Sequence, residues 1–243
     1  MRKFLAVFKR EFSSMFLSPV AYVTAVVFVA ASCWTFVQTL KLNVGEDESL
    51  VMLLMVSVMI WVPILVTVVC MRLFSEEKRS GTLESLMTVA VSERSVVMGK
   101  YVSALLFVWL VLVPAIAVIY WLAYVSSGID AVDHYAVAGG AVMLGLVTIC
   151  CVAIGLLVSL LTRNQIVAAI CCFAAICTPF FLKSLVGTIP FVSDGVVEYL
   201  SLEVHLLEFS TGSLSLQVIV LYLSVAFLML FTSVRVLESR RWI

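Results

Sequence analysis

From Pro19 to Leu40 the chain runs for twenty-two residues without a charged side chain. As a helix rising roughly 1.5 Å per residue, that run reaches about 33 Å, enough to cross the hydrocarbon of a bilayer. Backbone in such a medium must satisfy its own hydrogen bonds, so the run is expected to be helical. The alternating ten-residue segments of an outer-membrane barrel are absent. Composition extends the argument to the whole chain, which is 63% hydrophobic and 12% charged over 243 residues. A soluble domain is about half apolar and roughly a quarter charged. The expected fold class is therefore an all-α integral membrane protein. The formal net charge is zero, so nothing points to nucleic acid.

Five further spans follow by the same reasoning, at about 50–73, 96–126, 136–161, 166–186 and 214–237. Pro63 predicts a kink in the second span, and Pro179 a bend in the fifth. Gly139, Gly140, Gly145, Ala153 and Gly155 in the fourth predict close helix approach. Residues 2–17 read as an amphipathic helix in the membrane interface. Phe4, Leu5, Phe8, Phe12, Met15 and Phe16 form one face; Arg2, Lys3, Lys9, Arg10, Glu11 and Ser13 take the rest. The start MRK is followed by only five apolar residues before KRE, too few for a cleavable signal. Residues 187–213 are too polar to span and too apolar for an ordinary loop, which predicts a re-entrant or interfacial hairpin.

Six spans put both termini on one side. Thirteen of the fifteen Lys and Arg residues then fall on that side, with only Lys41 and Lys183 opposite. The positive-inside rule makes the termini cytoplasmic. The seven cysteines all lie in apolar runs and read as small packing side chains, with no CxxC spacing for a metal. No phosphate-binding loop, HExxH or GxSxG motif occurs. No span carries an acid, lysine or histidine near its centre, which weakens an ion-coupled carrier. The chain has neither a visible energy source nor a catalytic set, and no metal or cofactor site of its own is expected.

The remaining signal is the charged stretch 72–100, RLFSEEKRSGTLESLMTVAVSERSVVMGK. Glu76, Glu77, Lys78 and Arg79 extend the second span. Gly81 can end that helix. Thr82 can cap a new one with an apolar stripe at Leu83, Leu86, Met87 and Ala90. Ser92 is a cap for the third span, with Glu93 in its first turn. A short amphipathic helix held between two spans can dock into a groove on a partner. A stop-transfer loop whose charges only fix topology has the same composition.

The stretch resembles the first cytoplasmic loop of the type-2 ABC transporter permeases. The matching positions are Glu76, Glu77, Arg79, Gly81, Thr82, Glu84, Val91, Ser92, Gly99 and Lys100, with valine at 91 where many relatives have proline. YLSLEVHLLEFSTGSLSL is similar to the family's external hairpin at Ser201, His205, Phe209 and Gly212, with Glu198 just before. The ending VRVLESRRWI is similar to the gliding-motility-associated branch. The resemblance implies a single permease domain over 1–243, with a cytoplasmic coupling helix within 74–95 and the hairpin at 187–213. It implies a dimer with an identical or related second permease in the bacterial inner membrane. It also implies separate ABC ATPase subunits that hold ATP and Mg²⁺, and export of a lipid, glycan or other amphiphile. A secondary transporter or channel is the alternative.

Overall fold

The computed structural model describes residues 2–42, 50–79, 81, 92–127, 134–186, 201–210 and 215–239. Ten helices and no strand form among the described residues: α1 (Arg2–Leu17), α2 (Pro19–Leu42), α3 (Leu50–Met59), α4 (Val62–Cys70), α5 (Ser75–Arg79), α6 (Glu93–Ser127), α7 (His134–Leu161), α8 (Gln165–Val186), α9 (Leu202–Ser210) and α10 (Leu216–Ser239). Five stretches are long and apolar enough to cross a membrane: α2, the α3–α5 run Leu50–Arg79, α6, α7 and α10. The expected fifth span, about 166–186, coincides with α8, whose apolar part Gln165–Phe180 is shorter.

Burial separates centre from periphery. The most apolar window of the α3–α5 run is 67% buried, against 17% for α2 and for α10. The second span is thus the axis of the bundle. Leu54, Met55 and Val58 of α3 and Leu65 and Val66 of α4 join Ala104, Val108 and Ile119 of α6 and Met143, Val147 and Leu156 of α7 in one buried cluster.

This central span is not one rod. It turns at Ile60 and Trp61, where Trp61 donates its N–H to the Val58 carbonyl at 3.1 Å, and α4 restarts with Pro63 in its first turn. Proline there costs nothing, because the first turn has no intrahelical acceptor for its N–H. A second turn over 71–74 separates α4 from α5. The Ser159 hydroxyl accepts the N–H groups of Phe74 and Ser75 at 3.1 and 3.3 Å. In return the Lys78 ammonium bonds the carbonyls of Leu160 and Thr162. These are orphan groups at the C-terminal end of α7, where a cation is favoured. α5 is therefore clamped to the end of α7 by both its termini.

At the opposite end of the bundle, α9 lies across α3, α7 and α8. Leu202, His205, Leu206 and Phe209 are buried beneath it. The His205 ring meets Tyr222 of α10 edge-on, with Nδ1 3.3 Å from the phenol oxygen.

Small residues set the helix spacing, but not all alike. A Cβ at Gly155 would lie 2.8 Å from Cys70 Cβ and Sγ and 3.0 Å from Cys172 Sγ, so α4, α7 and α8 meet only because the position is bare. A Cβ at Gly145 would meet nothing within 4 Å. Gly155→Ala should therefore destabilise by about 1–3 kcal/mol through overpacking. Gly145→Ala should be neutral or gain roughly 0.5–1 kcal/mol of helix propensity. Thermal unfolding in detergent checks the pair; equal shifts for both would contradict this packing.

Candidate functional site: a buried charge quartet beside an amphipathic cleft

The second turn of α6 carries Gly99 and then Lys100. A Cβ at Gly99 would sit 2.9 Å from Val7 Cγ1 and 3.2 Å from Val7 Cβ. Glycine thus lets α1 lie directly on α6, with Val7 buried in the contact. The contacts then advance together along both helices, from Val7 at Gly99 to Phe16 at Phe107, whose rings meet edge-on at 5.7 Å. Phe4, Phe8, Phe12 and Phe16 form a ladder of ring contacts on α1, with centroids 6.3, 5.5 and 4.9 Å apart.

The close approach brings four charges together. The Lys100 ammonium lies 3.0 Å from Glu11 Oε2 and 3.0 Å from Glu77 Oε1. Arg10 Nη2 lies 2.6 Å from Glu11 Oε1 and 2.9 Å from Glu77 Oε1. The Lys100 side chain is 1% exposed, while Glu11 and Glu77 are 13% and 17% exposed. A cation that deep is tolerated only when paired and hydrogen-bonded. Two carboxylates from separate elements supply this, with the Phe74 ring 5.1 Å beneath the ammonium adding a cation–π contact. Partial burial opposes the Arg10 charge, but hydrogen bonds and attraction from Glu11 and Glu77 outweigh it. The guanidinium pKa is accordingly held above its usual value. The quartet is electrically neutral and joins α1, α5 and α6 at one point.

Beside it lies a cleft of about 720 Å³ between α1, α2, α4, α5 and α6. Arg10, Glu11, Glu76 and Glu77 line one end, Val20, Val68 and Val69 the other, and Arg72 stands between.

The residues expected from the sequence to couple to a partner divide sharply. Glu77 is turned into the quartet, whereas Glu76 and Arg79 are exposed on α5. Gly81 has φ +69°, in the left-handed region that glycine adopts without strain and that ends a helix. Thr82, Leu83, Glu84, Leu86 and Met87 lie outside the described residues, as do Glu198 and Gly212 of the hairpin. On α1, Phe4, Phe8 and Phe12 are half-buried and Lys9 and Arg10 exposed. Ser201, His205 and Phe209 are buried at the far end of the bundle and share no contact with the quartet. No cluster of metal-ligating side chains forms among the described residues, and the seven cysteines are free.

The family described as ABC-2 family transporter protein matches residues 8–179, from the middle of α1 through most of α8. The chain belongs to the ABC-2 transporter family. It is a multi-pass membrane protein and a permease component of an ABC transporter, a class that generally works with an ABC ATPase. Among curated proteins, none matches the chain. The matched region contains all four quartet residues; α9 and α10 lie beyond it.

Reading the sequence alone gave Lys100 a place in the charge count and the family pattern, and placed Glu11 on a polar helix face. Their pairing was missed. The available signal was a lysine five residues inside a span expected to start at Val96, which demands a buried partner. Lys100→Met should cost about 3 kcal/mol, the low end for breaking a buried pair because both carboxylates keep some solvent contact. Arg10→Gln should cost under about 1 kcal/mol, as for an exposed ion pair. Adding Glu11→Gln to Lys100→Met should recover part of the loss. Detergent unfolding of the three permease variants tests the order; additive losses would mean that Lys100 and Glu11 are not coupled.

Proposed function

We propose that this chain is the membrane-spanning subunit of an ABC exporter that moves a lipid, glycan or other amphiphile. ATP and Mg²⁺ are bound and turned over by separate ATPase subunits, and two permease copies, identical or related, form the pathway. The observation that carries this reading is the family match over residues 8–179. The gliding-motility-associated branch is proposed on the C-terminal resemblance alone.

In this reading the charged end of the bundle faces the cytoplasm of a bacterial inner-membrane protein, with both termini on that side. The segment 82–91 docks on an ATPase through Leu83, Leu86 and Met87, and α1 rests at the membrane interface. Closure of the ATPases pushes on the segment. The push reaches α5 directly, and through Glu77 it reaches α1 and α6 at once. A neutral ion quartet built around a buried lysine suits this role, because a bistable or rigid contact passes on displacement that a solvated surface would absorb. The exposed Glu76 and Arg79 stand where a partner can meet them. Residues 187–213 form the external hairpin, with α9 as its described part.

The permease purified alone is expected to lack ATP turnover and to co-purify with an ATPase when both are expressed. Intrinsic turnover would sink the proposal. Charge reversal at Glu84 separates docking from folding better than reversal at Glu77, which breaks the quartet. Glu84→Lys should weaken ATPase association about tenfold or more, as loss of a charge contact at an interface does, with unfolding temperature unchanged. Unaltered association would return the loop to a topological role. For sidedness, a cysteine introduced at Ser80 should react with an impermeant thiol reagent from the cytoplasm only, and one at Asp47 from outside only.

A further inference from the structure

The cleft beside the quartet straddles a boundary written in the sequence. α2 begins at Pro19, just after the α1–α2 junction at Ser18 and within an uncharged run that starts at Phe12, and the uncharged run of α3 and α4 ends at Met71, just before Arg72. Arg72 Nη1 donates to the Ser18 hydroxyl at 3.0 Å, so the two boundaries coincide in space. On one side of this pair the cleft is lined by Val20, Val68 and Val69, at hydrocarbon depth; on the other it is lined by the charged residues of α1 and α5. Arg72 therefore stands at the level of the lipid headgroups.

Among the described residues no carboxylate forms an ion pair with Arg72. Arg10 and Lys100 are matched by Glu11 and Glu77 within the quartet. Glu76 also lines the rim, one turn from Arg72, but no ion pair joins them. Among the described residues the only hydrogen-bond partner of Arg72 is a neutral serine, and its Nε is buried without an acceptor. A half-buried guanidinium in this state calls for an anion, and its planar fork matches phosphate oxygens.

We propose that the cleft is a binding site for a glycerophospholipid of the same leaflet, with its phosphodiester on Arg72 and an acyl chain between α2 and α4. Three features select this ligand. The apolar half of the cleft suits a chain and gives nothing to a free ion. The volume far exceeds what inorganic phosphate fills. The surrounding carboxylates tolerate one negative charge better than two, which favours a phosphodiester over a phosphate dianion. α2, the wall facing away from the bundle, is mostly surface, so a lipid can enter sideways from the bilayer. The site requires only that the chain spans a membrane, and it stands whether or not lipid is the exported cargo.

Native mass spectrometry of the purified permease, delipidated and then given phosphatidylglycerol, tests the assignment. The wild-type chain should hold one phosphatidylglycerol through activation that strips the rest, and should not hold diacylglycerol, which lacks the phosphate. Arg72→Gln should reduce that occupancy at least about tenfold, as loss of a charge-assisted bidentate contact does. Val69→Trp, which fills the apolar half and leaves Arg72 in place, should reduce it comparably. Arg94→Gln, which removes an exposed cation, should leave it unchanged. The proposal is overturned if Arg72→Gln and Val69→Trp both retain the lipid. It is equally overturned if diacylglycerol binds as well, if Arg94→Gln loses as much, or if inorganic phosphate displaces the lipid. A Val69→Trp variant that loses a dimer mass while keeping its lipid would assign the cleft to a second copy and overturn it too.

Discussion

Lys100 is a cation with almost no access to water, placed two turns inside a membrane helix. Moving an unpaired ammonium into such surroundings costs several kcal/mol even after relaxation, comparable with the net stability of a whole domain. The charged end of the structure depends on how that cost is offset. Glu11 can reach the ammonium only if α1 lies on α6, and α1 can lie there only because position 99 is glycine. Glu77 can reach it only if α5 is held against the bundle, which Ser159 and Lys78 ensure. Removal of either route leaves the buried ammonium with a single carboxylate.

The same arrangement explains why the second span is built in pieces. A continuous helix from Leu50 to Arg79 could not both pack its apolar length at the bundle centre and turn Glu77 into the quartet. The turns at 60–61 and 71–74 allow each segment its own orientation. The far end is closed independently by α9, so the two ends of the bundle are organised by different chemistry: ion pairs and caps at one, apolar burial with a His–Tyr contact at the other.

Much of the architecture was legible in the sequence, because membrane helices are specified by local rules. Run length and charge-free composition suffice to place α2, the α3–α5 run as one span, α6, α7 and α10, and the periodicity of residues 2–17 places α1. Glycine at 81 announced the helix end seen at its left-handed φ. The quartet was not legible, since its members are joined by folding across 67 residues in the case of Arg10 and Glu77. Nor were unequal glycines distinguishable: Gly145 and Gly155 look alike in the chain, yet only one faces neighbouring sulfurs. The cleft was hidden for the same reason, because Ser18 and Arg72 mark one plane only after α2 and α4 stand side by side.

The distance in sequence between Glu11 and Lys100 also sets an order of events during synthesis. α1 leaves the ribosome first, and its seat on α6 follows only on the order of ten seconds later at ordinary elongation rates. Through that interval Glu11 and the phenylalanine ladder have no protein to pack on, and Glu77 joins them without its lysine. An entirely apolar α1 would be drawn into the bilayer core, and an entirely polar one would drift into solution. The half-and-half composition of residues 2–17 leaves the nascent helix suited neither to hydrocarbon nor to water alone until the third span arrives to claim it.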